Sequence, residues 1–181
     1  MENEINETNE EITVAEPEVR IVKIAECASL SGRSRLVYHI GVAANGDIQL
    51  RIFRNSARGY FCKDWCSWAL IDMQLNEAPS FSSGDIQRLL FEGKSVNSGA
   101  FTIAAMRQEG LVRNVPGSLR CYERLDPTAW LVEIKALIDS GMALPEKQPP
   151  VQPVVVEKPT KKSAKKPVKA KPSDASEPME S

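Results

Sequence analysis

The sequence predicts an α+β fold in which a small antiparallel sheet is followed by several helices and a second hairpin. Residues 20–28, 35–42 and 47–53 alternate apolar and polar side chains, which is the pattern of strands with one buried face. Asn45 and Gly46 lie between the last two segments and favour a tight hairpin, because both residues tolerate a positive φ. After residue 63 the apolar residues recur with the helical period instead.

The two ends of the chain differ in composition from its middle. Residues 1–18 contain seven glutamates and no lysine or arginine, so we expect a disordered acidic arm. Residues 145–181 contain eight of the twelve prolines and eight lysines, seven of which fall in residues 158–172. Proline lacks a backbone donor and lysines repel one another, so this basic tail is not expected to fold alone.

The folded part is therefore predicted at residues 19–144. It divides into a strand-rich part at residues 19–78, which ends in a short helix containing tryptophan, and a second part at residues 79–144. No apolar stretch approaches the ~20 residues that span a bilayer, so no membrane contact is expected. Four cysteines without a secretory signal favour a reducing cytoplasm.

Helix signals follow in close succession after the first sheet. Asp64 is expected to cap the short tryptophan-containing helix. Ser82 and Asp85 have the spacing of a capping box for the next helix, which Gly93 ends. A third helix is predicted from residue 97 or 98 to Gly110.

A hairpin and a final helix complete the pattern. The hairpin turns at Pro116 and Gly117. The helix has Asp126 as N-cap, Pro127 at its first position and Gly141 as its end. One face of this helix is apolar, with Trp130, Leu131, Ile134, Leu137 and Ile138.

Helix, tight turn, helix, hairpin and helix over residues 80–140 is an order that resembles the winged helix-turn-helix superfamily of DNA-binding proteins. The resemblance depends on this order and on the pattern EGLV…PG…CYERL, where a helix ends at glycine and runs into the hairpin. In that superfamily the second helix enters the major groove while the wing touches the neighbouring backbone. The resemblance implies a reading helix at residues 98–109 and a wing at residues 113–120.

The same resemblance implies contacts with duplex DNA from the polar side chains of the helix and the wing. These residues are Asn97, Ser98, Thr102, Arg107, Arg113, Asn114, Arg120 and Arg124. The helix is apolar around most of its circumference, so a winged unit that only packs, or that binds a protein partner, is the alternative interpretation. A homodimer is compatible with half-site binding, although no dimer signature is visible.

The basic tail resembles the tails of histone-like chromosomal proteins, which neutralise phosphate and release counterions without reading sequence. The lysines expected to do this are Lys161, Lys162, Lys165, Lys166, Lys169 and Lys171. A solubilising tail or a linker is the alternative.

The first half is similar to the strand-rich single-stranded-DNA-binding fold of transcriptional coactivators, in which a curved cationic sheet grips the strand. The resemblance rests on strands followed by the segment RGYFCKDWCSWALI. It implies a platform of charge and stacking groups. These are Arg51, Phe53, Arg54, Arg58 and Lys63. A platform for the winged unit or a dimer surface is the alternative.

Catalytic and metal signals are weak in this sequence. The segment EGKS at residues 92–95 does not match a phosphate-binding P-loop, because Arg88 stands where the pattern needs glycine. His39 is the only histidine, and Cys62 and Cys66 form one close pair where zinc needs two. We therefore expect no enzyme activity, no cofactor and no metal.

Together these patterns predict a non-enzymatic, cytoplasmic, nucleoid-associated DNA-binding protein of a bacterium or mobile element, active in transcription regulation or DNA organisation. Two alternatives stay open: a protein-interaction module that uses the winged unit, and single-stranded-DNA binding by the strand-rich half.

Overall fold

The computed structural model describes residues 18–147. The acidic arm up to residue 17 and the tail from residue 148 lie outside this range. Within it, two antiparallel sheets and four helices form an α+β fold, which confirms the predicted class. None of the helices in this range is long and apolar enough to cross a bilayer.

The first sheet is a four-stranded antiparallel meander. Its strands, in spatial order, are β1 (Arg20–Ala28), β2 (Arg35–Val42), β3 (Ile48–Asn55) and the two-residue β4 (Cys66–Ser67). The Asn45-Gly46 hairpin is confirmed between β2 and β3. Gly46 has a φ of 84° and its backbone N–H donates to the carbonyl of Ala43 at 2.9 Å.

The second half of the described chain alternates helices with short strands. In chain order these are α1 (Trp68–Glu77), β5 (Phe81–Ser82), α2 (Ser83–Phe91), α3 (Ser98–Gln108), β6 (Val112–Asn114), β7 (Cys121–Arg124) and α4 (Thr128–Asp139). Strands β5, β7 and β6 form the second sheet in that spatial order. The capping box of Ser82 and Asp85 is confirmed. Gly93 and Gly110 follow their helices with φ of 72° and 74°, as a glycine helix stop requires.

Two helix starts differ from the prediction. Asp64 does not cap α1; Ser67 does, and its hydroxyl accepts a hydrogen bond from the Leu70 N–H at 3.3 Å. Asp64 instead forms an ion pair with Lys94, and Trp65 precedes the helix.

The last helix also starts one residue later than predicted, with Pro127 at the N-cap position. The Asp126 carboxylate still accepts the Thr128 N–H at 2.9 Å. The side chain that was expected to cap the helix therefore satisfies one of its free donors, although it lies outside the helix.

α3 lies at the centre of the hydrophobic core. It packs against α2 and against β1, β2 and β3 of the first sheet. Ile103, Ala105 and Met106 of this helix are fully buried, in the same cluster as Tyr38 and Leu50 of the sheet. The two parts that the sequence separated at residue 78 therefore share one core.

A buried carboxylate joins the elements around α3. Glu109 follows the helix directly, and its side chain is only 3 % exposed. One carboxylate oxygen accepts from the Tyr38 hydroxyl, and the other accepts from Lys23 Nζ and from Trp130 Nε1, each at 2.8 Å. Burial and the Glu109 charge raise the pKa of Tyr38, so its hydroxyl keeps the proton that it donates. Glu109 thus connects β1, β2 and α4.

Candidate nucleic-acid interface

The helix that was predicted to read DNA does not present its polar residues to solvent. Ser98 and Thr102 are 0 % and 1 % exposed. The Ser98 hydroxyl accepts a hydrogen bond from the backbone N–H of Cys62 at 2.8 Å, and the Thr102 hydroxyl has no partner among the described residues. Since a fully buried side chain does not reach a base edge, both assignments as DNA contacts are corrected: these residues pack α3 into the core. Asn97 is exposed, and its amide donates to the Tyr60 carbonyl at 3.0 Å.

Two arginines predicted as DNA contacts, one in the wing and one after it, are held by acids of the protein itself. Arg113 forms an ion pair with Glu123 on the facing strand. Arg124 donates to Asp72 of α1 at 2.7 Å, and both side chains are about one-quarter exposed. This pair ties the hairpin to α1, so it has a structural role that the sequence pattern did not reveal.

The other polar residues of the winged unit lie at the surface. Arg107, at the end of α3, donates to the Asn114 side chain at 3.4 Å. Arg120 is exposed directly before β7 and has no ion-pair partner in the described part of the chain. The tail lysines Lys161, Lys162, Lys165, Lys166, Lys169 and Lys171 lie outside the described residues.

Aromatic and cationic side chains lie together on the opposite face of the first sheet. Leu50 and Ile52 of β3 point into the core, so Arg51 and Phe53 point away from α3. The guanidinium carbon of Arg51 lies 4.3 Å from the Trp65 ring centroid. We call this surface the aromatic–arginine face. Its residues are His39, Arg51, Phe53, Lys63 and Trp65.

The rings of this face pack in a fixed order. His39 stacks on Phe53 with ring centroids 4.4 Å apart and an interplanar angle of 25°. Lys63 Nζ lies 6.0 Å from the Phe53 centroid. Trp65 lies over Gly41 of β2, where an added Cβ would come within 3.1 Å of the indole and 2.5 Å of Val19. Glycine at this position therefore lets the tryptophan lie close to the sheet.

Residues 54–63 contain three exposed cations. Arg54, Arg58 and Lys63 are exposed, and none forms an ion pair with another described residue. Between residues 48 and 65 the only acid is Asp64, whose carboxylate is bound by Lys94. Tyr60, in the same segment, is 90 % exposed. The segment thus presents an excess of positive charge beside aromatic rings.

His39 is fully buried within the face. Burial, and then the nearby charge of Arg51, lower the pKa of His39 to about 4. Arg51 Nε lies 3.4 Å from His39 Nδ1, so Nδ1 is the acceptor and the proton of the neutral ring belongs on Nε2. Nε2 has no hydrogen-bond partner among the described residues.

Lowering the pH from 7 to 5 is expected to lower the free energy of unfolding by about 2 kcal/mol, because the unfolded chain binds a proton at His39 that the fold excludes. The pKa of His39 is about 4 in the fold, below its usual value of about 6.5. The contribution of His39 to the free energy of unfolding is fully present when the pH is above the usual histidine pKa, and it is lost as the pH falls toward 4. Urea titrations at pH 7, 6 and 5 measure the change.

His39→Gln is the control, since the chain has no other histidine. The variant should show a flat profile between pH 7 and 5. If the slope persists in the variant, it belongs to carboxylates and not to His39.

Sequence reasoning found part of this face. It named Arg51, Phe53 and Lys63, which the structure brings together. It missed His39 and Trp65 as members. The hairpin register pairs His39 with Arg51 across β2 and β3. The alternation of these two strands could therefore have predicted that His39 lies on the same face as Arg51. Trp65 is ten residues beyond the end of β3, and no local pattern places it there.

The sequence matches no known protein-family model, and no curated protein or solved structure is significantly similar to this chain.

Proposed function

We propose that this chain is a non-enzymatic nucleic-acid-binding protein whose aromatic–arginine face, together with Arg54 and Arg58, binds single-stranded DNA. The observation that carries the proposal is the pairing of cations with aromatic rings on one sheet face. Arg51 lies over Trp65, and the exposed Lys63 has its Nζ 6.0 Å from the Phe53 centroid. Of the interpretations open from the sequence, the geometry supports this one best, since most of α3 is buried and both Arg113 of the wing and Arg124 after it are bound to acids.

Single strands suit such a surface for two physical reasons. Their bases are unpaired, so they can stack on aromatic side chains, which contributes about 1–3 kcal/mol per base. Their phosphates are attracted to lysine and arginine whatever the sequence. The half-buried Phe53 and Phe61 offer rings 6.0 and 5.9 Å from Lys63 Nζ, and Tyr60 of the same segment is 90 % exposed.

The triple variant Arg54→Glu, Arg58→Glu, Lys63→Glu is expected to weaken binding of an oligothymidine about 100-fold at low salt. The log–log salt slope should fall by about 2, because each lost phosphate contact removes ~0.7 for single strands. Fluorescence anisotropy of the labelled oligonucleotide, at several salt concentrations with the full chain, measures both quantities.

A matched triple variant controls for net charge. Arg33, Arg88 and Lys135 are also exposed and do not belong to the aromatic–arginine face. Replacing all three with glutamate makes the same charge change and also breaks the exposed ion pairs of Arg88 with Asp85 and of Lys135 with Asp139. This control should bind almost as the parent does. Equal weakening in both variants would mean that only the overall charge attracts the strand, and the proposed surface would be rejected.

Duplex DNA is the second candidate, and a specific observation favours it. The tip of the hairpin, residues 113–120, has two arginines and no acid. Arg120 of this tip is exposed, and so is Arg107 at the end of α3. The α2–α3 pair followed by the β6–β7 hairpin is consistent with the winged helix-turn-helix order. Such a protein would work in transcription regulation or DNA organisation at the nucleoid, with the tail lysines adding phosphate contacts.

The same titrations separate the two candidates. A preference for duplex over single strand that survives the face variant, and is lost in Arg107→Glu, Arg120→Glu, would favour the winged unit. If the parent chain binds neither form, nucleic-acid binding is rejected and the protein-interaction module takes its place.

A further inference from the structure

An open cleft of about 960 Å³ lies next to the aromatic–arginine face. Residues 18–21 form one side of it and the β2–β3 turn forms another. Residues 143–146, which follow α4, close the third side, and Arg51 and Trp65 line the cleft between them. Its volume lies in the range of small-ligand sites, ~300–1,000 Å³.

The guanidinium of Arg51 is held in place at this cleft. It stacks over Trp65, and its Nε and Nη2 lie 3.4 and 3.3 Å from His39 Nδ1. The side chain is 15 % exposed. Its Nη1 makes no hydrogen bond with any described residue. An oriented cation with free donors is suited to binding an anion through two oxygens.

A carboxylate of the chain already occupies part of this position. Leu144 donates its backbone N–H to the Ile21 carbonyl at 2.9 Å, and its side chain packs on the apolar cluster that includes Ile21. Two residues later, Glu146 approaches Arg51 Nη2 at 3.3 Å. The Glu146 side chain is 55 % exposed, so water screens the pair and the contact is weak.

We propose that this cleft is a phosphate-binding site, in which a phosphate group of the bound strand replaces the Glu146 carboxylate on Arg51. A carboxylate and a phosphate present similar pairs of oxygens to a guanidinium, which is why one stands in for the other. The identity of the ligand as a DNA strand rests on the function proposed above. The chemistry of the site is that of phosphate oxygens, from whatever source.

The site is continuous with the surface that would hold the strand. Trp65 contacts Arg51, and Lys63 lies two residues before Trp65 on the same sheet face. A strand held by Arg54 and Lys63 brings its next phosphates to Arg51 at high effective concentration. Phosphate can therefore displace Glu146 although the carboxylate is tethered.

Removing the competing charge tests the proposal. Glu146→Gln in the full chain should bind an oligothymidine about threefold to fivefold more tightly. The gain is small because the exposed ion pair that phosphate must otherwise break contributes little free energy. Asp139→Asn is the matched control, because it removes one carboxylate from an exposed ion pair with Lys135 on α4. Its affinity should equal that of the parent.

Replacing the cation should have the opposite effect. Arg51→Gln is expected to lose about tenfold in affinity and ~0.7 in salt slope. Arg51→Lys keeps the charge but not the planar guanidinium. It is a second variant of the same position that can be tested if Arg51→Gln fails to fold. Its affinity should lie between those of the parent and Arg51→Gln.

The NMR signal of the Trp65 indole N–H reports on the site directly. It should shift when Glu146→Gln is titrated with pyrophosphate or with oligothymidine. The indole N–H of Trp130 is buried and donates a hydrogen bond to Glu109. Its NMR signal should not shift, and it serves as a reference.

The outcomes separate this site from the function on which it rests. A Trp65 shift with pyrophosphate but no strand binding would keep the phosphate site and reject single-stranded-DNA binding. No shift with either probe, or equal affinities for the parent, Glu146→Gln and Arg51→Gln, would overturn the phosphate site. In that case the Arg54, Arg58, Lys63 variant still decides the function by itself.

Discussion

Replacing Glu109 with alanine is expected to lower the free energy of unfolding by about 3–5 kcal/mol, which is the usual cost of breaking a buried ion pair from one side. The substitution removes the acceptor of the Tyr38 hydroxyl and the Trp130 indole N–H, both of which are buried. Each buried donor left without a partner costs about 1–3 kcal/mol. Lys23 also loses one of its two carboxylate partners.

Urea unfolding followed by circular dichroism measures this loss. Glu133→Ala is the matched control, because Glu133 binds the same Lys23 Nζ at 2.8 Å but is 55 % exposed. An exposed pair contributes about 0–1 kcal/mol, so the control should change stability little. A loss below 1 kcal/mol for Glu109→Ala would mean that water or a rearranged side chain replaces the carboxylate.

Replacing Gly99 with alanine is expected to cost about 2–3 kcal/mol, as overpacking in a tight core does. An added Cβ would lie 2.5 Å from the Ser83 carbonyl oxygen and 2.7 Å from the Gln87 backbone nitrogen. Both atoms belong to the backbone of α2, so the two helices must move apart. The loss is expected although alanine is a better helix former than glycine by about 1 kcal/mol.

Gly84→Ala is the control for the propensity effect. Gly84 lies in α2, and an added Cβ there meets only the Ser82 hydroxyl, at 3.4 Å. This variant should be unchanged or more stable, by up to about 1 kcal/mol. Thermal unfolding of both variants measures the difference. If Gly99→Ala were as stable as Gly84→Ala, the close approach of α2 and α3 would be disproved.

The predicted elements that were confirmed are those encoded by adjacent residues. The Asn45-Gly46 turn adopts its hairpin because these two residues tolerate the required dihedral angles. Ser82 and Asp85 form their capping box because both partners lie within one helical turn. The start of α1 was placed wrongly, since Asp64 has the chemistry of a cap but its carboxylate is bound by Lys94, thirty residues away.

The candidate sites were predicted less well, for a related reason. The sequence shows that Ser98 and Thr102 are polar positions of the helix, but it does not show which elements cover them. In the fold the first sheet lies on one side of α3 and α2 lies on another, so both residues are buried. Likewise, the sequence indicates that Arg124 is cationic, but only the packing of α1 against the hairpin gives it Asp72 as partner.

The sequence by itself determined the α+β class, the three long strands with the hairpin between the second and third, the helix ends at glycine and the opposite charges of the two chain ends. These features depend on backbone dihedral preferences, on hydrophobic periodicity and on composition, which are properties of short segments. The tertiary structure decided which polar side chains are exposed and which are bound. It brought Arg51, His39, Trp65 and Glu146 together from four separate segments. It also buried Glu109 among three donors. Such contacts join residues far apart in the chain, and their energies depend on burial and distance, which no local pattern contains.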